Sequence, residues 1–418
     1  MNTIATILLW FTYFISLYFA VFWLVVFLTK KKDIAKKELK EFPFVSIVVP
    51  AYNEEERVGP TVESALELDY PKDKFEIIVV DDGSKDNTSG VVKSLQKKYK
   101  NSGFSLVLLQ QVNKGKGAAL NNALKHAKGK YFICLDADSF VEKKALKVIL
   151  PYFTDENVAA VLPALKVKDP KNTLQKLQWY EYIINMFYKE LMGKLDCVHV
   201  TPGPFSVYSK RLLEKVGGFD EDNITEDLEI AFRFQANNYK IIQLLETNVL
   251  TLCPNNLKDL YKQRNRWFKG ATLNAIAYRK MLFNRKYGDF GVIQVPTVIL
   301  SGVIAVIMIS SILYYALKPQ VVYIYNLTFV NFDIWTLLKT ITFDFKWVDL
   351  DFITLFVALV MITISIYIMK KSEVSSNERL MKYGTFSVLS YLLFYFLLLG
   401  FFWIGVLFDI ATGRKQKW

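Results

Sequence analysis

FEIIVVDDGSKDNTSGVVKSLQKKY, residues 75–99, reads as a strand, a turn and a helix in succession: a β-branched run ends in two aspartates, and apolar residues then recur at helical spacing. The same rhythm surrounds it. VSIVVP (45–50) and the runs 105–109 and 131–135 are further short strands, and 55–68, 88–99, 116–127 and 143–152 read as helices. Such alternation predicts an α/β domain with a largely parallel sheet, whose ligands sit beyond the carboxyl ends of the strands.

Outside this domain the chain is greasy. Of its 418 residues 52% are hydrophobic and 15% aromatic, and no charged side chain occurs in 1–29, 290–317, 352–369 or 383–408. Each stretch is long enough to cross ~30 Å of hydrocarbon as a helix. Segment 321–343 is also apolar but carries Asn326, Asn331, Asp333 and Lys339, and is expected to be interfacial or re-entrant. Lys30, Lys31, Lys32, Lys36, Lys37 and Lys40 follow the first stretch, which makes it an anchor with the next domain on the cytoplasmic side of a cell membrane. The predicted division is an anchor at 1–29, a cytoplasmic domain at 30–255, an interfacial helix at 256–289 and a transmembrane region at 290–418. Helical patterns at 174–192 and 257–283 interleave aromatic and basic residues, fit for packing on the domain or lying in the membrane surface. The net charge of +12 sits beside these spans, so it implies attraction to membrane lipids and an anionic ligand rather than nucleic acid. Three cysteines without CxxC spacing and only two histidines leave carboxylates as the available metal ligands, which suits Mg²⁺ or Mn²⁺.

Asp81 and Asp82 close one strand, and Asp136 and Asp138 close another in ICLDADS. Either pair alone also suits a turn or a helix cap. Two acidic pairs at one sheet edge, however, repel unless a cation sits between them, and a divalent ion on a diphosphate meets that need. The intervening NKGKGAALNN (113–122) places Lys114 and Lys116 at a helix start, able to hold phosphate oxygens or to be a solvated loop. Asp227, in Thr225-Glu226-Asp227, is either a first-turn dipole charge or a general base. Gln263, Arg264, Asn265, Arg266 and Trp267 form either a basic interfacial face or a site for a departing diphosphate and an acceptor sugar.

These residues resemble the family 2 glycosyltransferases of GT-A fold, and among them the membrane-integrated processive synthases of cellulose, chitin, hyaluronan and poly-N-acetylglucosamine. The resemblance runs in order through PAYNE (50–54), Asp81 to Ser84, the Gly115-Lys116 loop, Asp136-Ala137-Asp138, Gly203-Pro204-Phe205, Thr225 to Asp227 and QRNRW (263–267). It implies a Rossmann-like mixed sheet with flanking helices, interfacial helices and an α-helical transmembrane region. It further implies a nucleotide-sugar donor held by Tyr52, Glu54, Asp81, Asp82, Lys116 and Asp136, and a metal at Asp138 with Asp136. Asp227 would be the base, and Gly203, Pro204, Phe205, Glu226, Gln263, Arg266 and Trp267 would face acceptor or diphosphate. The expected reaction is inverting sugar transfer, from a UDP-sugar or alternatively from GDP-mannose, to a growing polysaccharide with export, or alternatively to a polyprenyl phosphate or glycolipid. Sugar, acceptor and oligomeric state stay open.

Overall fold

The computed structural model describes residues 3–29, 35–329 and 352–414. Apolar helix α1, Thr3–Leu28, leads to strand β1, Val45–Ala51, whose seven residues are all buried. A continuous apolar run of this kind belongs to a strand covered on both faces. Helix α2 (Val58–Leu66), β2 (Phe75–Asp81), α3 (Thr88–Lys98), β3 (Ser105–Gln110), α4 (Lys116–His126) and β4 (Tyr131–Cys134) follow. Each lies within a few residues of its expected place.

Then β5 (Ser139–Val141), α5 (Ala145–Ile149), β6 (Val158–Val167), α6 (Thr173–Lys194), β7 (Ser206–Ser209), α7 (Lys210–Lys215), α8 (Glu226–Ala236), β8 (Lys240–Thr251) and α9 (Leu257–Ala277) complete the domain. The eight strands form one sheet in the order β3-β2-β1-β4-β7-β6-β8-β5. Strands β1 to β4 are parallel, as is β6 with β8, but β7 runs antiparallel to both β4 and β6, and β5 antiparallel to β8, so the sheet is mixed, as the resemblance implied, rather than the largely parallel one that the strand–helix rhythm alone predicts. The antiparallel half pairs segments far apart in sequence, which local periodicity does not report.

Val45, Ile47 and Val49 join one apolar layer with Val58, Val62 and Val92, while Val48 joins the opposite one with Ala119, Leu120 and Ile230. Side chains alternate across the sheet and both faces are sealed by helices. The β1–β4 ladder ends at Val48 and Cys134, whereas β1 and β2 stay paired to Ala51 and Asp81. β1 and β4 therefore part at their carboxyl ends, where strand order reverses and where ligands bind in such sheets.

Beyond α9, α10 (Val295–Phe329), α11 (Phe352–Ser376) and α12 (Thr385–Ala411) follow, and three helices, Phe290–Phe329, Leu355–Ser376 and Thr385–Ala411, are long and apolar enough to cross a membrane. In α1, Tyr13–Leu28 forms a shorter apolar helix. The chain has the character of an integral membrane protein. Segment 321–343 was expected to stand apart from the second span, but α10 runs on through Pro319 to Phe329. Breaking a helix in hydrocarbon strands several backbone groups, whereas one proline removes a single bond. Residues 330–343 of that segment, Lys30 to Lys32 of the lysine run and 415–418 lie outside the described residues.

Helix α6 is not an interfacial helix but a buried one. Trp179, Tyr180 and Ile183 pack with Met369, Leu380, Tyr391 and Tyr395, so the domain and the apolar helices share one core.

Candidate active site

The crevice is built from turns stitched to one another. Asn53, with φ 56°, follows β1; its N–H donates to Ser84 Oγ at 2.9 Å, and its Oδ1 accepts from Lys85 N at 2.8 Å. Tyr52 and Glu54 are half-buried beside it, and burial pushes the Glu54 carboxyl up to about 6, with Arg57 opposing and Asp138 and Asp136 adding to the rise.

Asp81 and Asp82 were both expected to meet a donor, yet the structure turns both inward. Asp81 accepts from Ser84 N at 2.8 Å and from Ser89 Oγ. Asp82 accepts from Gln111 Nε2 at 2.8 Å, Lys114 N at 2.9 Å and Gly115 N at 2.8 Å. A carboxylate 2% exposed must find such donors. Asp82 thus shapes the 113–116 loop instead of presenting free oxygens to a nucleoside.

Lys116 likewise differs from expectation. Its ammonium lies 2.7 Å from Asp136 Oδ1 and 2.9 Å from Glu226 Oε1, so neither Lys116 nor Glu226 stands open to a diphosphate. Burial pulls the ammonium pKa down, but Asp136 and Glu226 outweigh it and hold it well above the usual lysine range. The ion pair ties the start of α4 and the end of β4 to the start of α8, across more than a hundred residues of sequence.

Gly203 lies against this group. A Cβ there would come within 2.3 Å of Asp136 Oδ1 and 2.5 Å of Lys116 Nζ. Both are ends of side chains, so the protein can yield by displacing the ion pair. Gly203→Ala is therefore expected to fold with a lowered melting temperature, since the displaced pair is buried, and to lose roughly 10²-fold in kcat, the penalty of a displacement of about 1 Å. Steady-state kinetics beside a thermal melt checks this. Pro204 and Phe205 are both buried, and Phe205 packs in the sheet core.

Asp227 occupies the first turn of α8. Its Oδ1 accepts from Leu228 N at 2.9 Å, and its main-chain oxygen accepts from Thr201 N at 3.1 Å and Thr201 Oγ1 at 2.8 Å, which anchors the loop to Gly203. Gly270 of α9 approaches so closely that a Cβ would fall 2.3 Å from Thr225 Oγ1 and 2.4 Å from Cγ2. Thr225 is rotamer-restricted and cannot swing aside, so this glycine sets the distance between α9 and the aspartate. Burial, then Glu226, push Asp227 up to about 6, against Lys116 and Arg266. Burial also pushes Glu226 up, but Lys116 and Arg266 outweigh it and hold it below the usual range. Two adjacent carboxylates are thereby separated into a permanent anion and a group able to take a proton near neutrality.

If Asp227 takes a proton in the reaction, activity is full above its pKa and lost as pH falls through about 6. The profile of kcat/KM should fall about tenfold per pH unit below that point. A flat profile down to pH 5 would contradict the assignment.

Gln263 and Arg266 line an open cleft of about 1280 Å³ together with Asp138, Arg57, Asp409 and Arg414. The charge of Arg266 reaches Glu226 and Asp227. Trp267 is absent from that wall. It packs, partly buried, on the α6 core, with the Arg264 guanidinium 4.2 Å from its ring centroid. Sequence reading also missed Glu181, whose carboxylate accepts from Arg264 Nε at 3.2 Å, from Arg264 Nη2 and from Tyr395 OH at 2.8 Å. The signal was a lone carboxylate in the greasy run WYEYII, which demands a buried partner. This triad holds α9 behind Gln263.

Among the described residues Asp138 has only hydroxyl partners, Ser139 Oγ at 3.1 Å and Thr251 Oγ1 at 3.4 Å, and burial, then Asp136, push its carboxyl up. Asp138 on the cleft wall, with the Asp136 carboxylate two residues away and repelling it, is chemistry that fits a hard divalent cation, which would draw its other ligands from phosphate and water. Among the described residues no group of three or more His, Cys, Asp or Glu is placed to hold a metal.

Residues 46–217 match the sequence profile of Glycosyl transferase family 2. The poly-beta-1,6-N-acetyl-D-glucosamine synthase of Staphylococcus epidermidis is 32% identical over 271 residues, 63% of this chain and 64% of that one. Its counterpart in Staphylococcus aureus strain COL is 33% identical over 246 residues, 58% of this chain and 57% of that one. The chain thus spans less than two thirds of the length of these relatives. Among solved structures, mannosyltransferase PcManGT from Pyrobaculum calidifontis, in complex with GDP-Man and Mn²⁺, superposes with a TM-score of 0.65 over 99% of both chains at 18% identity. That likeness is one of fold.

Proposed function

From the family 2 glycosyl transferase segment at residues 46–217, we propose that the protein is an inverting glycosyltransferase that moves a sugar from a nucleoside-diphosphate donor to a hydroxyl of a growing polysaccharide. The observation that carries this reading is the Lys116 bridge, which brings the Asp136–Asp138 turn and the Glu226–Asp227 turn to one place. The acceptor hydroxyl attacks the anomeric carbon, a new C–O bond forms as the sugar–phosphate bond breaks, and the hydroxyl proton passes to an Asp227 carboxylate oxygen. The nucleoside diphosphate departs with the electron pair. A general base so placed contributes ~10²–10⁴-fold. Arg266 on the cleft wall offers the departing diphosphate a cation, and Glu226 keeps Lys116 and Asp136 in place. Asp136 and Asp138 would hold Mg²⁺ or Mn²⁺, which when bound neutralises diphosphate charge.

Lys36, Lys37 and Lys40 follow α1 and support a cytoplasmic catalytic domain. Because the synthases matched are named for poly-N-acetylglucosamine, UDP-N-acetylglucosamine is the first donor to test. Lys168, Lys171, Lys258 and Lys262 along the same cleft favour a second reading, in which the acceptor is a lipid phosphate that receives one sugar. Purified protein in lipid, given labelled donor with Mg²⁺, Mn²⁺ or a chelator, decides between them when the product is sized. A ladder of long chains supports the polymer reading, one labelled lipid supports the second, and no transfer from any nucleotide sugar overturns both.

A further inference from the structure

Away from the cleft, α1, α6 and α11 enclose an apolar groove of about 360 Å³ lined by Trp23, Phe27, Phe187, Ile364 and Tyr367. This lies within the ~300–1,000 Å³ range of small-molecule sites. Its lining carries two hydroxyls, those of Thr363 and Tyr367, and Thr363 already donates to Leu359 O at 2.8 Å, so the walls offer an occupant few hydrogen bonds. A peptide would bring more backbone N–H and C=O groups than two hydroxyls can satisfy, whereas a hydrocarbon chain would bring none.

The groove has a basic end. Lys371 Nζ lies 5.3 Å from the Phe27 ring centroid and 5.4 Å from that of Tyr367, both groove residues, and no carboxylate pairs with it among the described residues. Lys194 Nζ, 5.5 Å from the Phe27 centroid, is already engaged: it donates to Phe27 O at 3.0 Å and Thr29 O at 3.1 Å, capping the last carbonyls of α1. The nearby Glu190 accepts from Ser375 Oγ at 2.8 Å. An ammonium flanked by aromatic faces at the mouth of a dry groove calls for an anion attached to a hydrocarbon tail.

The geometry points to a binding site for one anionic glycerophospholipid, with an acyl chain in the groove between α1 and α11 and the headgroup phosphate on Lys371. The site rests on the apolar helices alone and stands whether or not the catalytic reading holds. Such a lipid would fasten α1 to α6 and α11 by filling the space between them.

Trp23 makes the site observable. In phosphatidylcholine nanodiscs doped with phosphatidylglycerol carrying brominated acyl chains, the emission lost on going from wild type to Trp23→Phe reports the groove. That component should be quenched about fivefold more effectively by brominated phosphatidylglycerol than by brominated phosphatidylcholine, the preference one lysine near the membrane surface provides. Lys371→Gln should bring the ratio to one, and Lys371→Arg should keep it. Equal quenching by both lipids in the wild type, or a ratio unchanged by Lys371→Gln, overturns the site. Absence of quenching by either lipid, as when a second copy of the chain fills the groove, does so too. Should Trp23→Phe fail to fold, native mass spectrometry of wild type and Lys371→Gln gives the same decision, through retention or loss of one phosphatidylglycerol.

Discussion

Asp227→Asn should bind the nucleotide-sugar donor with near wild-type affinity and lose ~10²–10⁴-fold in kcat, the range for removal of a positioned general base. The substitution is close to isosteric, and the Asn side-chain oxygen can still accept from Leu228 N as Asp227 Oδ1 does. The main-chain contacts to Thr201 do not depend on the side chain, so the loop that carries Gly203 stays anchored. What disappears is the group that burial and Glu226 push up to about 6. Titration calorimetry with donor, beside a turnover assay, separates the two effects. A loss of less than tenfold, or a loss of donor affinity as large as the loss of turnover, would move the base elsewhere.

Lys116→Met is expected to cost roughly 3–5 kcal/mol of stability, the usual penalty for removing one partner of a buried ion pair. Total domain stability is ~5–15 kcal/mol, so a loss of that size is severe. The two anions left behind are not equivalent. The Asp136 side chain is 28% exposed and can rehydrate, while that of Glu226 is 3% exposed and cannot. Most of the penalty should therefore reside at Glu226, and the double variant Lys116→Met/Glu226→Gln should recover a large part of it. Thermal melts of the three proteins in the same detergent test this. A single variant as stable as wild type would mean that the bridge does not hold α4, β4 and α8 together.

The pair also shows what sequence could and could not tell. Strands β1 to β4 and the helices between them were legible because each is a local pattern: VSIVVP and FEIIVV are apolar but for Ser46 and Glu76, which hydrogen-bond to each other at 2.6 Å, as suits strands sealed on both faces. Asp136, Asp138 and Asp227 could be singled out as chemistry, since carboxylates at a strand end and a helix start need a donor, a cation or a proton. Who would answer each charge was not. Lys116 looked like a phosphate ligand because Glu226, its partner in space, is remote in sequence. Asp82 looked like a nucleoside ligand because a carboxylate accepting backbone N–H groups has no local signature. Trp267 read as an interfacial or acceptor-stacking aromatic, and its partly buried packing on the core around α6 had no local signature. Local pattern reports a side chain's chemistry, but only the fold decides how much of it is already satisfied.

Tyr180 donates to Leu380 O at 2.7 Å, Lys166 to Ser376 O at 2.7 Å, and Tyr395 to Glu181 Oε2 at 2.8 Å. The boundary near residue 255, at which one would trim the gene to obtain a water-soluble catalyst, consequently runs through an interior rather than along a surface. A fragment ending there would expose Trp179 and Ile183 to water and strip Glu181 of both donors. Exchange of parts with a relative would meet the same obstacle, since the two halves interlock through side chains and must be transplanted together.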